Sequence, residues 1–332
     1  MQVRFLIPIF LVISLHTLYA QPYFREENWI DQLNLAGGLP EKLLSTRTAV
    51  FYDYTLTEKD LNTVQEYFQR SGIDAVAYHE LDMLMSGKDI TRAFSDFLEK
   101  REITNIVLIE KKENIYRIVI TFFNGKDNIV DPKQNAWSAS NAILTELLKN
   151  VYRTTSGQQK KLNLLINDVP ETGLTINPIL GKRNEFFAID LKVDPLAVPK
   201  FGDEALDKRL EEIFKEHYPL KYKLTEPGLT EKELRKQGSL YVLCIVHTRG
   251  SALKELLGYP MTKSESALVS VTYPDTQQQL KNIPSNTPVY KVYFKHIDSG
   301  NVFLGTKWDS DVTWEQALIN HIKGLKAELK LN

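Results

Sequence analysis

Several side chains in the first half of the sequence could support acid–base chemistry, because each follows a short apolar run that is typical of a buried strand. They are Asp53, His79, Glu80, Asp82, Glu110 and Lys111. Parallel α/β sheets bind ligands at the carboxyl ends of their strands, and a histidine among carboxylates can act as general acid and base or hold a divalent metal. The candidate catalytic residues are therefore Asp53, His79, Glu80 and Glu110. The competing interpretation is that loops after buried strands are polar simply because they are solvated.

The second half of the chain does not repeat this set of residues. Its corresponding strand ends carry Asp194, Thr225, His247 and Arg249. His247 and His296 could approach each other, but no HxH, HExxH or CxxC pattern accompanies them, so no metal site is predicted. His321 lies on the apolar face of the last predicted helix, where a hydrogen-bonded core histidine is expected.

Two further features carry reactive groups. The run from Lys307 to Asp311 (KWDSD) precedes the last predicted helix. Its acids could bind a cation, but acids beside a helix amino end also favour the helix dipole, and we prefer that interpretation. The single cysteine, Cys244, lies in the apolar run 240–246 and is expected to be buried and inert. No GxSxG, Walker or GxGxxG pattern occurs, so no cofactor is predicted.

The elements that must position these residues occur twice. The stretch Tyr116 to Asn124 (YRIVITFFN) returns as Tyr290 to Asp298 (YKVYFKHID), and each copy continues through a polar turn into a second apolar run. Trp137 and Trp314 follow, and each is predicted to open a helix and to be buried against a sheet. Repetition at this scale indicates a duplicated structural unit.

The order of patterns predicts an α/β fold. In the first half, two amphipathic helical patterns, capped by Thr57 and Asp89, alternate with three apolar runs at 49–52, 73–78 and 106–109. This order predicts parallel strands joined by right-handed crossovers. The strand that begins at Tyr116 follows too soon for a crossover, so it must run antiparallel.

The predicted architecture is two tandem related β-α-β-α-β-β-α units with mixed sheets flanked by helices. The predicted parts are a signal peptide at 1–20, an N-terminal lead-in at 21–45, a first α/β repeat domain at 46–153, a linker and connecting segment at 154–184, and a second α/β repeat domain at 185–332 with an insertion at 249–288. Strands are also expected at 162–166 and 185–193, and the insertion is expected to protrude.

The first residues predict export. Arg4, the apolar run 5–15 and the tripeptide before Gln21 (LYA) form the pattern of a cleaved signal peptide. An apolar run of about 11 residues is shorter than the ~20 that span a bilayer, so no integral membrane segment is predicted after cleavage. The predicted location is the periplasm or the outer membrane, with an extracellular location as the alternative. A net charge of −1 argues against a nucleic-acid partner.

Two segments resemble uncharacterised exported proteins of the Bacteroidota: Gly37 to Arg47 (GGLPEKLLSTR) and Gly300 to Lys323 (GNVFLGTKWDSDVTWEQALINHIK). The resemblance covers most of the chain after the signal peptide and implies no particular catalytic residues. Some such proteins carry an automatic "NTPase" label. That label is not carried over, because this sequence has no phosphate-binding loop.

The expected function is non-enzymatic binding or scaffolding in the cell envelope, with a protein or another envelope component as partner. One alternative is a hydrolase or nucleotide-binding enzyme that uses the strand ends of the first domain. Another is a small-ligand receptor that uses the interdomain cleft. An enzyme predicts a deep polar pocket around Asp53, His79 and Glu110, whereas a scaffold predicts an exposed apolar patch of roughly several hundred Å².

Overall fold

The fold consists of two six-stranded mixed sheets flanked by helices, with a two-stranded sheet beside them. The structure is a computed structural model that describes residues 29–158, 162–174, 176–179, 181–261, 265–274 and 277–331. The predicted signal peptide lies outside these residues. The predicted fold class is confirmed, and the two similar sheets fit a tandem duplication.

The first sheet belongs to the first half of the chain and its connecting segment. Its strands are β1 (Arg47–Tyr52), β2 (Asp74–Glu80), β3 (Ile103–Lys112), β4 (Ile115–Phe122), β5 (Trp137–Asn141) and β6 (Glu171–Thr172). The helices of this half are α1 (Glu58–Ser71), α2 (Leu81–Leu84), α3 (Lys88–Lys100) and α4 (Leu144–Gln158), preceded by a 3-10 turn at Trp29–Gln32. The strand order is β5-β4-β3-β1-β2-β6.

The second sheet uses the remaining chain. Its strands are β7 (Arg183–Asn184), β8 (Leu196–Pro199), β9 (Tyr222–Thr225), β10 (Tyr241–Arg249), β13 (Pro288–His296) and β14 (Val302–Phe303), while β11 (Ala267–Thr272) and β12 (Gln279–Pro284) form a separate hairpin. The helices are α5 (Glu204–His217), α6 (Glu231–Lys236), α7 (Gly250–Leu256) and α8 (Trp314–Leu329), with a 3-10 turn at Ile189–Lys192. The strand order is β7-β14-β13-β10-β8-β9.

Five strands of each sheet correspond in order and direction. The series β5-β4-β3-β1-β2 matches β14-β13-β10-β8-β9, and in both series the last three strands are parallel and the first two antiparallel to their neighbours. Tyr116 lies opposite Lys111 in β3, and Tyr290 lies opposite His247 in β10. The repeated tyrosines therefore occupy comparable positions, as the sequence repeat predicts.

The two tryptophans do not correspond, so the prediction that both open helices is wrong for Trp137. Trp137 begins β5, where it pairs with Ile120 of β4, and it is half-buried. Trp314 begins α8 and is 6% exposed. The second apolar run of the first copy, Ile129 and Val130, is buried in a turn instead of forming a strand. Backbone pairing along β4 places the tryptophan in the sheet and delays the helix to Leu144.

The connecting segment also differs from the prediction. No regular strand forms at 162–166, where Leu164 and Leu165 are 92% and 91% exposed, so this apolar run lacks the burial that stabilises a strand. The strand predicted at 185–193 is replaced by a loop and a 3-10 turn before β8. Helix α4 continues to Gln158, past the predicted boundary at 154, while β6 and β7 attach the segment to one edge of each sheet.

Four helices begin at cap residues that the sequence indicates. Thr57 and Thr230 form capping boxes, and Asp203 and Thr313 accept hydrogen bonds from the first turns of α5 and α8. Asp89 does not cap α3, because Gly87 occupies the N-cap position. Its carboxylate binds residues of the other half instead.

Each half has an apolar cluster of its own, and a third apolar cluster between the sheets is shared by both halves. Helices α1 and α4 cover the outer face of the first sheet, and α5 and α8 cover that of the second. Between the sheets, α2, α3 and α7 pack into a cluster drawn from both halves. The insertion does not simply protrude, since Leu253 and Leu256 of α7 are fully buried in this cluster. Among the described residues, no helix has the length and apolarity needed to cross a membrane.

Candidate functional site: the interdomain cleft

A cleft of ≈ 410 Å³ lies between the two halves, at the carboxyl ends of β1, β3 and β10. We refer to it as the interdomain cleft. Its polar lining includes Asp53, Tyr54, Asp82 and Glu110 from the first half and His247, Thr248, Arg249 and Asn286 from the second. Apolar side chains of Trp29, Ile30 and Met85, all less than 9% exposed, form another part of its wall.

The sheet brings two of the four candidate catalytic residues, Asp53 and Glu110, to this edge. Strand β1 lies between β2 and β3, and Tyr52 faces both Glu80 and Ile109 in the parallel register. The chain after Tyr52 remains attached to β3 because the Asp53 amide donates to the Ile109 carbonyl at 2.8 Å. Asp53 and Glu110 therefore both line the cleft.

His79 does not reach the cleft. Its ring packs against Phe51, Phe94 and Phe97 at centroid distances of 6.0, 5.5 and 4.9 Å, and it is 4% exposed. Burial, followed by the positive charge of Arg101, lowers the pKa of His79 to about 4. Its Nε2 has no hydrogen-bond partner among the described residues. The candidate role of His79 as an acid and base at the strand ends is therefore not supported by its position.

Glu80 is held in an ion-pair cluster that joins the halves. The Arg249 guanidinium pairs with Glu80, donates from Nε to Asp82 Oδ2 at 2.8 Å and donates from Nη1 to Ser251 Oγ at 2.5 Å. Its Cζ lies 4.1 Å from the centroid of the Tyr54 ring. Burial raises the pKa of Glu80 to about 6, against the opposing charge of Arg249, and also raises the pKa of Asp82.

The other two candidates differ in how far they are neutralised. Glu110 is 6% exposed and pairs with Arg117 and with Lys112 Nζ at 3.2 Å. Asp53 is only partly buried, and its Oδ1 accepts from the Thr55 amide at 2.9 Å and from Thr55 Oγ1 at 2.6 Å. Its Oδ2 accepts no hydrogen bond from the described part of the chain.

Arg249 and His247 are site residues to which the sequence pattern assigned no role. His247 stacks on Tyr290 with ring centroids 3.9 Å apart, and its amide donates to the Ser86 carbonyl at 2.8 Å. It does not approach His296, because the two histidines lie at opposite ends of the β10–β13 pair. Their position at the end of β10, which corresponds to β3, was the signal that could have found both residues.

A second group of buried charges lies in the other half, around Asp309. Lys291 Nζ lies 2.6 Å from Asp309 Oδ1, and His321 Nδ1 lies 2.9 Å from Asp309 Oδ2. The side chains of Lys291 and His321 are both fully buried, and burial lowers the pKa of each, that of His321 to about 4. The expectation of a hydrogen-bonded core histidine is confirmed. The helix-dipole interpretation of the acidic run is wrong for Asp309, which binds these two side chains.

Cys244 also contributes to the interface between the halves. Burial, and then the charge of Asp89, raises the pKa of its thiol, which disfavours the reactive thiolate. Nearby, Asp89 accepts from Tyr293 Oη at 2.8 Å and from Lys295 Nζ at 2.7 Å. The expectation of an inert thiol agrees with this environment.

Neither the comparison with known proteins nor the search for metal-ligand geometry indicates a function for this protein. The chain matches no protein-family model and no curated protein sequence. Within the parts of the chain that the structure describes, no three His, Cys, Asp or Glu side chains are grouped to hold a metal ion. The proposed function therefore rests on the geometry of the interdomain cleft.

Proposed function

We propose that this protein is an exported, non-enzymatic binding protein of the cell envelope that takes a small ligand in the interdomain cleft. The observation that carries the proposal is the cleft itself, with a volume of ≈ 410 Å³ between two related halves. Ligand sites in proteins are typically concave, partly apolar, and furnished with a few polar groups that fix orientation. The wall of the cleft combines buried apolar side chains with Asp53 and Arg249 in this way.

The state of the polar groups favours binding over catalysis. General acid–base catalysis needs a side chain within hydrogen-bond reach of the reacting atom and able to exchange a proton near the working pH. Glu110 is paired with two cations, and Glu80 is paired with Arg249. His79 lies among aromatic rings of the core. These arrangements suit a fixed binding surface.

The scaffold alternative has weaker support. The connecting segment exposes Leu164, Leu165 and Val169, with exposures of 92%, 91% and 82%. These side chains lie outside the regular helices and strands and line none of the described pockets, so they offer a partner a less defined surface than the cleft does. The cleft remains the better-defined binding surface.

The export component rests on the signal-peptide pattern at 1–20. N-terminal sequencing of the protein isolated from its source cells is expected to give a chain that begins at Gln21 in the envelope fraction. A cytoplasmic protein that retains Met1 would contradict this component and leave the ligand-binding proposal in place.

Ligand binding is tested by thermal shift with a chemically diverse library of amines, carboxylates, sugars, nucleotides and aromatic compounds. At least one compound is expected to raise Tm, because a ligand that binds the folded state stabilises it. The test variant is Asn286→Trp, which adds a bulky side chain to an exposed turn residue at the cleft wall.

The matched control is Asn282→Trp, the same change at an exposed residue of β12 that does not line the cleft. The Tm increase is expected to disappear in Asn286→Trp and to persist in Asn282→Trp. If no compound raises Tm, or if the increase survives in Asn286→Trp, the proposed use of the cleft is wrong.

A further inference from the structure

The interdomain cleft carries an excess of negative charge. Among the described residues, five carboxylates belong to the cleft and its ion pairs, whereas three cations do, which leaves two negative charges in excess there. The carboxylates are Asp31, Asp53, Glu80, Asp82 and Glu110, and the cations are Lys112, Arg117 and Arg249. Charges in a cleft with apolar walls act more strongly than charges on an open surface, so this balance selects ligands by charge.

Arg249 lines the cleft, and its guanidinium is already paired with other side chains of the protein. Each of the three guanidinium nitrogens of Arg249 has a partner: Glu80, Asp82 or Ser251. Two carboxylates, Glu80 and Asp82, already balance the single positive charge of Arg249, so an anionic ligand would meet no uncompensated positive charge there and would add a third negative charge beside them. Arg249 therefore holds the wall together and does not provide a binding site for an anion.

One carboxylate oxygen is differently placed. Asp53 Oδ1 is occupied by Thr55, so the side chain is fixed in orientation, while Oδ2 has no donor among the described residues. A ligand ammonium or guanidinium could donate to this oxygen in a charge-assisted hydrogen bond. The apolar side chains of Trp29, Ile30 and Met85 are available for the uncharged body of such a ligand.

We infer that the ligand of the interdomain cleft is a compact organic cation, with an ammonium or guanidinium group that binds Asp53 and an apolar body that packs against the neighbouring wall. This inference rests on the proposed function and specifies the ligand class of the same site. Asp53 is thereby the specificity-determining residue.

The experiment compares three probes that share a phenyl ring and differ in charge: phenethylamine, 2-phenylethanol and phenylacetate. Affinities are measured by isothermal titration calorimetry on the full mature chain. Phenethylamine is expected to bind at least about tenfold more tightly than 2-phenylethanol, since a hydrogen bond to a charged group contributes more than a neutral one. Phenylacetate is expected to bind most weakly.

The variant Asp53→Asn removes the charge and keeps the Oδ1 acceptor for Thr55, so the turn after β1 is preserved. It is expected to abolish the preference for phenethylamine over 2-phenylethanol. The matched control is Asp127→Asn, at an exposed acid outside the cleft, which is expected to keep that preference.

The outcomes separate the two proposals. Equal or tighter binding of 2-phenylethanol or phenylacetate overturns the cationic class, and so does a preference for the amine that survives in Asp53→Asn. In either case, sensitivity of the binding to Asn286→Trp leaves the proposed function standing. Absence of binding by all three probes also overturns the inferred ligand class, while the diverse library then decides the proposed function separately.

Discussion

At the residue scale, His79 shows why the type of a side chain does not establish its role. It was the one histidine among the first-half candidates, yet its ring packs against three phenylalanines in the core. A neutral imidazole is stable in such a place, whereas an imidazolium would lose its hydration and would carry an Nε2–H that has no acceptor among the described residues. His79 is therefore expected to affect the free energy of unfolding and the way in which that free energy depends on pH.

The pKa of His79 is about 4 in the folded protein, below its ordinary value of 6.5. The unfolded chain thus binds more protons between these values, and the folded state loses stability as pH falls through this window. Between about pH 7.5 and about pH 5 the loss from this residue is expected to be about 2 kcal/mol. The variant His79→Leu should remove that part of the loss, measured by urea denaturation at both pH values.

The test is the difference between the wild-type protein and His79→Leu in how the free energy of unfolding depends on pH. Glu80 has the opposite effect on the pH dependence. Its pKa is raised to about 6 in the folded protein, so its contribution to the free energy of unfolding decreases as the pH rises from 4.5 to 6. His321, whose pKa is also lowered, contributes the same loss of stability at low pH in the wild-type protein and in His79→Leu. An equal pH dependence in wild type and His79→Leu would contradict the buried neutral imidazole.

At the element scale, the two tryptophans separate a helix anchor from a strand residue. Trp314 lies at the start of α8, is 6% exposed and meets Phe201 edge-on at a centroid distance of 4.9 Å. Trp137 lies in β5 at the edge of its sheet and is half-buried. The repeat in the sequence made them look equivalent, but their surroundings differ.

Replacement by alanine should therefore have unequal costs. Trp314→Ala is expected to lower the free energy of unfolding by ~3–5 kcal/mol, the range for a large buried aromatic side chain. Trp137→Ala is expected to lower it by about 1–2 kcal/mol, because less apolar area leaves water on folding. Urea denaturation of the two variants provides the comparison. Equal losses, or a larger loss for Trp137→Ala, would show that the burial difference has been misjudged.

At the scale of the whole molecule, the continuous core between the sheets joins the halves into one unit. Helices α3 and α7 come from different halves and pack into the same cluster, and Arg249 and Asp89 bridge the halves at their polar margins. Separation of the halves would expose this cluster to water, which is unfavourable in proportion to the apolar area exposed.

Thermal unfolding is consequently expected to be one cooperative transition. Differential scanning calorimetry should give a single peak whose calorimetric and van't Hoff enthalpies agree, which is the mark of two-state behaviour. Two resolved peaks, one for each half, would mean that the shared core does not couple them. A ligand of the cleft should shift the single peak as a whole.

The enzyme alternative is also decided on the whole protein. The purified mature chain is expected to release no phosphate from ATP, because the sequence has no phosphate-binding loop and His79 is buried and does not line the cleft. A phosphate-release assay with Asp53→Ala and the control Asp127→Ala tests this. Phosphate release that disappears in Asp53→Ala but persists in Asp127→Ala would favour the hydrolase over the binding protein.

Much of the fold was predictable because its determinants are local. The alternation of apolar runs and amphipathic helices, the caps at Thr57 and Thr230, and the repeat at Tyr116 and Tyr290 can each be read within a short stretch of chain. Periodicity and capping reflect interactions between residues close in sequence. These features established an α/β fold with two related halves, and they indicated the edge of the first sheet at which Asp53 and Glu110 line the cleft.

The contacts that define the candidate site depend on distant parts of the chain, and only the tertiary structure decided them. Arg249 and Glu80 are separated by 169 residues, so no local pattern indicates that they pair. Whether a polar residue after a strand faces a cleft or the core depends on which helix covers it, as His79 and the phenylalanines of α3 show. Side-chain burial and ion pairing are properties of the packed molecule, and they determine which carboxylate remains open to a ligand.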